Sequence, residues 1–353
     1  MGRVRRTSGS LDLRSQAVLR AVIEEYVITA QPVGSQSLVD RYGLGVSSAT
    51  VRNTLAELEA AGLLGHPHTS AGRIPTDAGY RWYVESVIDA VPLPAVEQLM
   101  IRHQFGQVEF ASEHWFRLAA STIAAATREA GIATPAKPTT ARVRRVDLVT
   151  ISERLASLVI ILREGTIKQV LLTVDEGIDQ TGLTIVAGVI NELVTGRSAA
   201  EIGGRLVSID ARMPYADLAR RVGERIATIL REYDATAVED VYSDGLLNVM
   251  AAPEFAESDK LRRVFSALEN RAYLGELVGT VAEAGTVRVI IGSENRAPDM
   301  HDVSLVMAPY GRPGRAVGVV GVLGPTRMAY PHAIGTVRFV SGLMHELVDH
   351  LYA

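Results

Sequence analysis

Between Val46 and Leu64 the chain reads "VSSATVRNTLAELEAAGLL", and its apolar spacing allows one local structure. At 100° per residue, Leu55 and Leu58 fall within about 40° of Val51, so the segment is a helix with one buried stripe. Asn53 lies on the opposite side, Arg52 flanks it, and the small residues Ala49 and Ala56 share that outer face. Ser47 or Ser48 stands where a side chain caps the free N–H groups of a first turn. Such a helix needs a core on one side and a polar surface to read on the other.

The flanking segments supply the core. Residues 11–30 form an amphipathic pattern with Leu19, Val22, Ile23, Tyr26 and Val27 on one stripe and Asp12 as the N-cap. "QPVGSQSLVDRYGLG" gives a turn, a short helix opened by Ser35, and a stop at Gly43 and Gly45. After the third helix, which ends at Gly62, Leu63-Leu64 and Arg73-Ile74 are expected to pair as short strands around a loop. Thr76 then caps a further helix, and "VPLPA" reads as a linker.

Helix, short helix, turn and third helix in that order make a helix-turn-helix, with the following loop as its wing. Arg contacts guanine bidentately, Asn contacts adenine, and Ser or Thr serves base or phosphate. The first turn of a helix also favours phosphate through its free N–H groups. Residues 1–90 carry nine Arg, no Lys and nine Asp plus Glu, so nucleic-acid contact there depends on placed groups rather than bulk charge.

Farther along, helical patterns cover roughly 95–107 and 111–130. "VRRVDLVTI", "RLASLVIIL" and "TIKQVLLTV" read as strands, the last two joined by a hairpin at Glu164-Gly165, and a helix covers about 181–196. Helices at 215–233 and 258–274 surround an expected hairpin turning at Asp244-Gly245. "TVRVIIG", "DVSLVMAP" and "AVGVVGVLG" return to strands, and a helix from Pro331 to Tyr352 closes the chain. Strands on both sides of a helical interval suggest a sheet domain with a module inserted at 200–275.

Several functions are disfavoured. With no Cys, there is no disulfide, thiol catalysis or Cys-based metal site. The net charge of −4 does not suit a general polyanion binder. No apolar stretch is long enough to span a bilayer, and no apolar segment follows the basic start, so a cytoplasmic protein without membrane contact is expected. "HELVDH" places His345 and His350 five apart, about 140° round a helix, whereas a zinc pair needs a spacing of four. Gly318, Gly321 and Gly324 lie in a strand-like run and suggest close packing rather than a dinucleotide fold. "SENRAPDMHD", Ser293 to Asp302, is expected as a solvated loop. No nucleophile–base constellation is evident, so neither enzymatic activity nor a cofactor is expected.

The run "PVGSQSLVDRYGLGVSSATVRNTLAELEAAGLLGHPHTSAGRIPTDAGYRWYV" closely resembles the heat-inducible transcription repressor family HrcA. "SSATVRN" and "PHTSAGRIPTDAGYR" are its most specific parts, and "LLNVMAAPEF" and "GVVGVLGPTRMAYPHAI" also match. The resemblance implies an α+β fold: an N-terminal winged helix-turn-helix and a GAF-like domain with an antiparallel sheet, interrupted by an inserted α+β dimerisation module. The expected divisions are 1–90 for DNA binding, 91–199 and 276–353 for the two parts of the GAF-like domain, and 200–275 for the dimerisation module.

The resemblance further implies a homodimeric repressor on double-stranded DNA, at an inverted-repeat operator called CIRCE ahead of chaperone operons, aided by the GroEL chaperonin. Ser47, Ser48, Thr50, Arg52 and Asn53 fall in the recognition-helix motif, and His68, Thr69, Ser70 and Arg73 in the wing motif. Thr54 and Leu55 replace residues that are often Asp and Met in the family. Leu246, Leu247, Pro253 and Phe255 are the candidate dimer contacts. The alternative function is a GAF-type regulator whose pocket senses a small molecule.

Overall fold

The computed structural model describes residues 11–67, 72–88, 92–107, 112–138, 140–163, 165–235, 240–255, 258–312 and 316–352. The fold is α+β with antiparallel sheets. At the start stand α1 (Leu13–Thr29), α2 (Ser35–Tyr42) and α3 (Ser48–Ala60). Asp12 caps α1 by accepting the Ser15 N–H at 2.7 Å, and hydrogen bonding from Ser15 holds the carboxyl below the usual carboxylate range. Gly43 follows α2 at φ 56°, a left-handed turn that costs glycine little. The two-residue strands β1 (Leu64–Gly65) and β2 (Ile74–Pro75) pair antiparallel, and α4 (Asp77–Val87) follows.

After α5 (Ala95–Gly106) and α6 (Ser112–Thr127), strand β3 (Ala130–Ala133) enters the larger sheet. The chain then leaves that sheet. A separate antiparallel meander forms from β4 (Val143–Ser152), β5 (Leu155–Leu162) and β6 (Ile167–Thr173). It packs with α7 (Gln180–Val194), α8 (Ala199–Arg205) and α9 (Ala216–Ala235) around its own core, from Ala141 to Tyr233.

The chain returns through β7 (Tyr242–Asp244), which pairs with β3. Then come α10 (Leu246–Met250), α11 (Ser258–Glu269), α12 (Arg271–Ala284), β8 (Arg288–Ile291), β9 (Val303–Arg312), β10 (Ala316–Pro325) and α13 (Tyr330–Tyr352). The five-stranded sheet has the order β7-β3-β10-β9-β8 and is antiparallel throughout.

Helices cover both faces of this sheet, so β9 and β10 are buried almost end to end. Val306, Val320 and Val322 pack with α6 and α13, while Leu305, Val319 and Leu323 pack with α12 and Phe255. The first of these clusters is continuous with α1, α3 and α4. Tyr80 of α4 and Tyr330 of α13 meet within it, ring centroids 5.7 Å apart.

Four sequence expectations are corrected. The interruption of the main sheet is the unit spanning Ala141 to Tyr233, not 200–275. The β-branched runs of 143–173 are strands, as read, but their pleat faces α7 and α9 rather than the main sheet; periodicity identifies a strand and not its partners. Asp244-Gly245 is not a hairpin turn, because Gly245 (φ 74°) opens α10 instead of a returning strand. The single helix expected at 258–274 is two, broken at Asn270, whose side chain caps α12 through the N–H groups of Ala272 and Tyr273.

The Ser293–Asp302 segment is not simply a solvated loop either. Asn295 is buried and donates to the carbonyls of Gly292, Met300 and Val303 at 2.9, 3.0 and 3.1 Å. The three glycines of β10 behave as the packing reading expects. A Cβ on Gly318 would strike the Tyr310 ring, and one on Gly321 the Val306 carbonyl.

Candidate nucleic-acid interface

Helix α3 buries Val51, Leu55 and Leu58 as its spacing requires, and also Thr54. At 2% exposure Thr54 belongs to the core, so this position offers no direct contact to a ligand on the outer face. Arg52, Asn53, Ala49 and Ala56 are exposed. A cation and an amide therefore project between small residues, which let the helix approach a close-fitting surface.

The hydroxyl groups at the N-terminus of α3 are organised among themselves. Ser47 is the N-cap; its Oγ accepts the Thr50 N–H at 3.2 Å and lies 3.0 Å from Thr50 Oγ1. Ser48 Oγ lies 3.0 Å from Ser35 Oγ, which ties the start of α3 to the start of α2. The first turn is thus held in place while its remaining N–H groups and positive dipole end stay available to an anion.

The hairpin is anchored on two sides. Arg73 and Val33 exchange backbone hydrogen bonds of 2.8 Å each way. Gly72 passes so close that a Cβ would sit 2.5 Å from the Val33 carbonyl, so only glycine fits. The Arg73 guanidinium meets Glu59 of α3 at 2.7 Å, and the other Glu59 oxygen binds His66 Nδ1. Arg73 is therefore mostly buried and engaged within the unit. Sequence reading missed Glu59 and Val33 as its partners; an acid near the end of α3 was the available signal. His68, Thr69 and Ser70 lie outside the described residues.

The four dimer candidates do not form one surface. Phe255 is 2% exposed and fills this chain's own core with Val249, Val264 and Leu277, so it cannot face a partner. Leu246 is half-buried, and Pro253 and Leu247 are exposed, Leu247 at 75%.

His345 of the "HELVDH" segment binds the Gly311 carbonyl through Nδ1 at 3.0 Å and Asp349 through Nε2 at 3.5 Å. Among the described residues, no group of three or more His, Asp or Glu side chains is placed to hold a metal, and no helix is long and apolar enough to cross a membrane.

Comparison with known proteins gives this geometry its context. The family model described as "HrcA protein C terminal domain" matches residues 113–334. The heat-inducible transcription repressor HrcA of Roseiflexus castenholzii is 40% identical over 341 residues, covering 96% of this chain and 95% of the relative. That of Herpetosiphon aurantiacus is 41% identical, covering 97% and 96%. A crystal structure of a hypothetical protein shares the fold, with a TM-score of 0.62 at 22% identity over 97% of this chain and 99% of that one. The protein is of the class of transcription repressors, which regulate rather than catalyse. Within that class, the chain belongs to the heat-inducible transcription repressor HrcA family.

Proposed function

We propose that the chain represses chaperone operons by binding, as a dimer, an inverted-repeat operator of the CIRCE type. The observation that carries this reading is the division of α3: Val51, Thr54, Leu55 and Leu58 are buried while Arg52 and Asn53 are exposed on the opposite face. The three helices and the β1-β2 hairpin support a winged helix-turn-helix, with α3 as the recognition helix. Ser47, Ser48 and Thr50 shape its N-terminus, Arg52 and Asn53 read base edges, His68, Thr69 and Ser70 of the wing motif are assigned to phosphate contact, and Arg73 of that motif acts by holding the hairpin against α3. The five-stranded sheet supports the GAF-like reading of the body.

Two-fold symmetry would match operator palindromy. The interrupting module supplies the pairing surface. Side-chain amides of α7 cap the outer edge of β4: Asn191 binds the N–H and carbonyl of Val146, and Gln180 binds the Thr150 N–H and the Leu148 carbonyl. Strand β6, the opposite edge, exposes Ile167 and Leu171 at 63% and 60%. An edge strand with exposed apolar side chains favours a second copy there.

The test is a footprint on the promoters of the host's chaperone operons, with a scrambled inverted repeat as control. Protection confined to the intact repeat supports the proposal; equal protection of both sinks it. GroEL supports the active repressor in this reading, so chaperonin with ATP increases the fraction able to bind. An unchanged fraction removes that regulation.

A second reading is favoured by one cleft. About 580 Å³ in volume, it lies between α4, α12 and β8 and is lined by Arg81, Glu85, Tyr273, Arg288 and Glu294 among others. A small molecule bound there would gate DNA binding, as in a sensor. Native mass spectrometry with metabolite-induced thermal shifts separates the readings, since only a sensor carries a stoichiometric ligand that alters operator affinity.

A further inference from the structure

The loop that follows β8 grips the start of α4. Asp77 Oδ2 accepts two hydrogen bonds from Ser293, from its N–H at 2.9 Å and its Oγ at 2.6 Å. One turn along α4, Arg81 donates from Nε to Glu294 Oε1 at 2.7 Å and from Nη2 to the Val289 carbonyl at 2.7 Å. A further bond from Nη2 to Glu294 Oε2 makes the pair bidentate. A Cβ on Gly292 would lie 2.6 Å from the Asp77 carboxylate, so the approach is as close as backbone allows. Glu294 also accepts the Ile291 N–H, and Asn295 pins the loop from within, so the gripping surface has a fixed shape.

On its other side, Asp77 adjoins Thr76, and Thr76 is bonded to the reading unit. Its Oγ1 donates to the Gly62 carbonyl at 2.7 Å and accepts the Gly79 N–H at 3.2 Å, while its N–H donates to the Leu63 carbonyl at 3.1 Å. Gly62 lies just beyond the end of α3 and Leu63 just before β1. A Cβ on Gly79 would sit 2.2 Å from the Leu63 carbonyl, so α4 cannot slide past the hairpin without moving it. From Ser293 to the end of α3 the path is Ser293, Asp77, Thr76, Gly62, each step a hydrogen bond or one peptide link.

We infer that Asp77–Ser293 and Arg81–Glu294 form a latch through which the sheet body sets the position of the hairpin and of the C-terminal end of α3. The four are positioning residues for DNA reading. The inference rests on the proposed DNA-binding function and adds the route by which the body controls it. A shift of residues 292–294 would be transmitted because the path has no slack, and by linkage, operator binding would tighten the latch in return.

The test uses the full-length protein and three single variants, Ser293→Ala, Arg81→Ala and Glu294→Ala, with the Arg81→Ala/Glu294→Ala double variant. Circular dichroism establishes that each is folded, and Ser293→Ala, which removes one hydroxyl, serves if the larger truncations do not fold. Preference for the inverted-repeat duplex over random duplex at matched salt is expected to fall about tenfold in the Arg81 and Glu294 variants. The double variant loses no more than either alone. Hydrogen exchange followed by mass spectrometry quickens at residues 62–66 and 73–80 in Ser293→Ala, more than 200 positions away in sequence.

Unchanged exchange there, with operator preference within about twofold of the parent protein, overturns the latch. If the parent protein itself shows no operator preference, the DNA-reading proposal fails, and the exchange measurement alone decides the latch.

Discussion

Arg73 of the hairpin and Glu59 of the third helix form an ion pair of 2.7 Å, each about three-quarters buried. The arginine that stands in the wing motif therefore spends its charge on holding the hairpin against α3. Arg52, by contrast, is exposed and makes no hydrogen bond or ion pair among the described residues. The two arginines should separate in experiment. Arg73→Ala lowers stability by about 1 kcal/mol, read from denaturant midpoints. Arg52→Ala leaves stability within about 0.5 kcal/mol and weakens operator binding by roughly 1–3 kcal/mol. Equal effects of both changes on stability would contradict this division.

Ser47→Ala removes the cap of α3 and costs about 1 kcal/mol of stability. Ser47→Asp, which retains a capping oxygen and adds a negative charge, preserves stability but repels the DNA backbone. Thermal melts and operator titrations of the two variants distinguish capping from contact.

Glu129, just after α6, provides a pH signature. Burial pushes its carboxyl up to about 8, despite the pull of Arg327, and Glu254 nearby adds to the rise. In the unfolded chain the group titrates near its ordinary 4.5. Between these values the native state holds a proton that the unfolded state has released. Stability is therefore lost as pH rises through this window and levels off above about 8. Glu129→Gln keeps the neutral form at every pH. It should flatten the decline and stabilise the protein at pH 8 by an amount on the order of a few kcal/mol. Melts of both proteins at pH 5, 6.5 and 8 provide the check; parallel curves would show that Glu129 is ionised in the fold.

Phe255 and the β6 surface make opposite predictions. Phe255→Ala empties a core position and costs about 3–5 kcal/mol of folding stability. Leu171→Glu and Ile167→Glu alter exposed positions, so the fold is expected to survive and the proposed dimer to dissociate. Sedimentation velocity at several concentrations reads the difference, and a Leu171→Glu/Ile167→Glu protein that remains dimeric would exclude this face.

What was legible in the sequence is what local chemistry determines. The caps at Asp12, Ser47 and Thr76, the stop at Gly43 and the buried stripe of α3 all act over three or four residues. The outward placement of Arg52 and Asn53 follows from the same periodicity. Non-local choices were not legible. Strand β7 is three residues long and joins β3 from more than 100 positions away, so its alternation carries no instruction about its partner. The same limit misplaced the interrupting module. A cation in a loop reads as a phosphate ligand until a carboxylate folds against it, as Glu59 does with Arg73. Thr54 stands among polar neighbours in the sequence, and the helix turns it inward.

The single apolar cluster that joins α1, α3 and α4 to the five-stranded sheet and α13 has a calorimetric consequence. The N-terminal helices have no melting transition of their own: loosening α13 removes the Tyr330 ring against which Tyr80 of α4 packs. The module between Ala141 and Tyr233, wrapped around a separate cluster, is free to melt at a different temperature. If two copies pair through that module and α3 grips the operator, as proposed, heating can therefore undo the two functions one after the other.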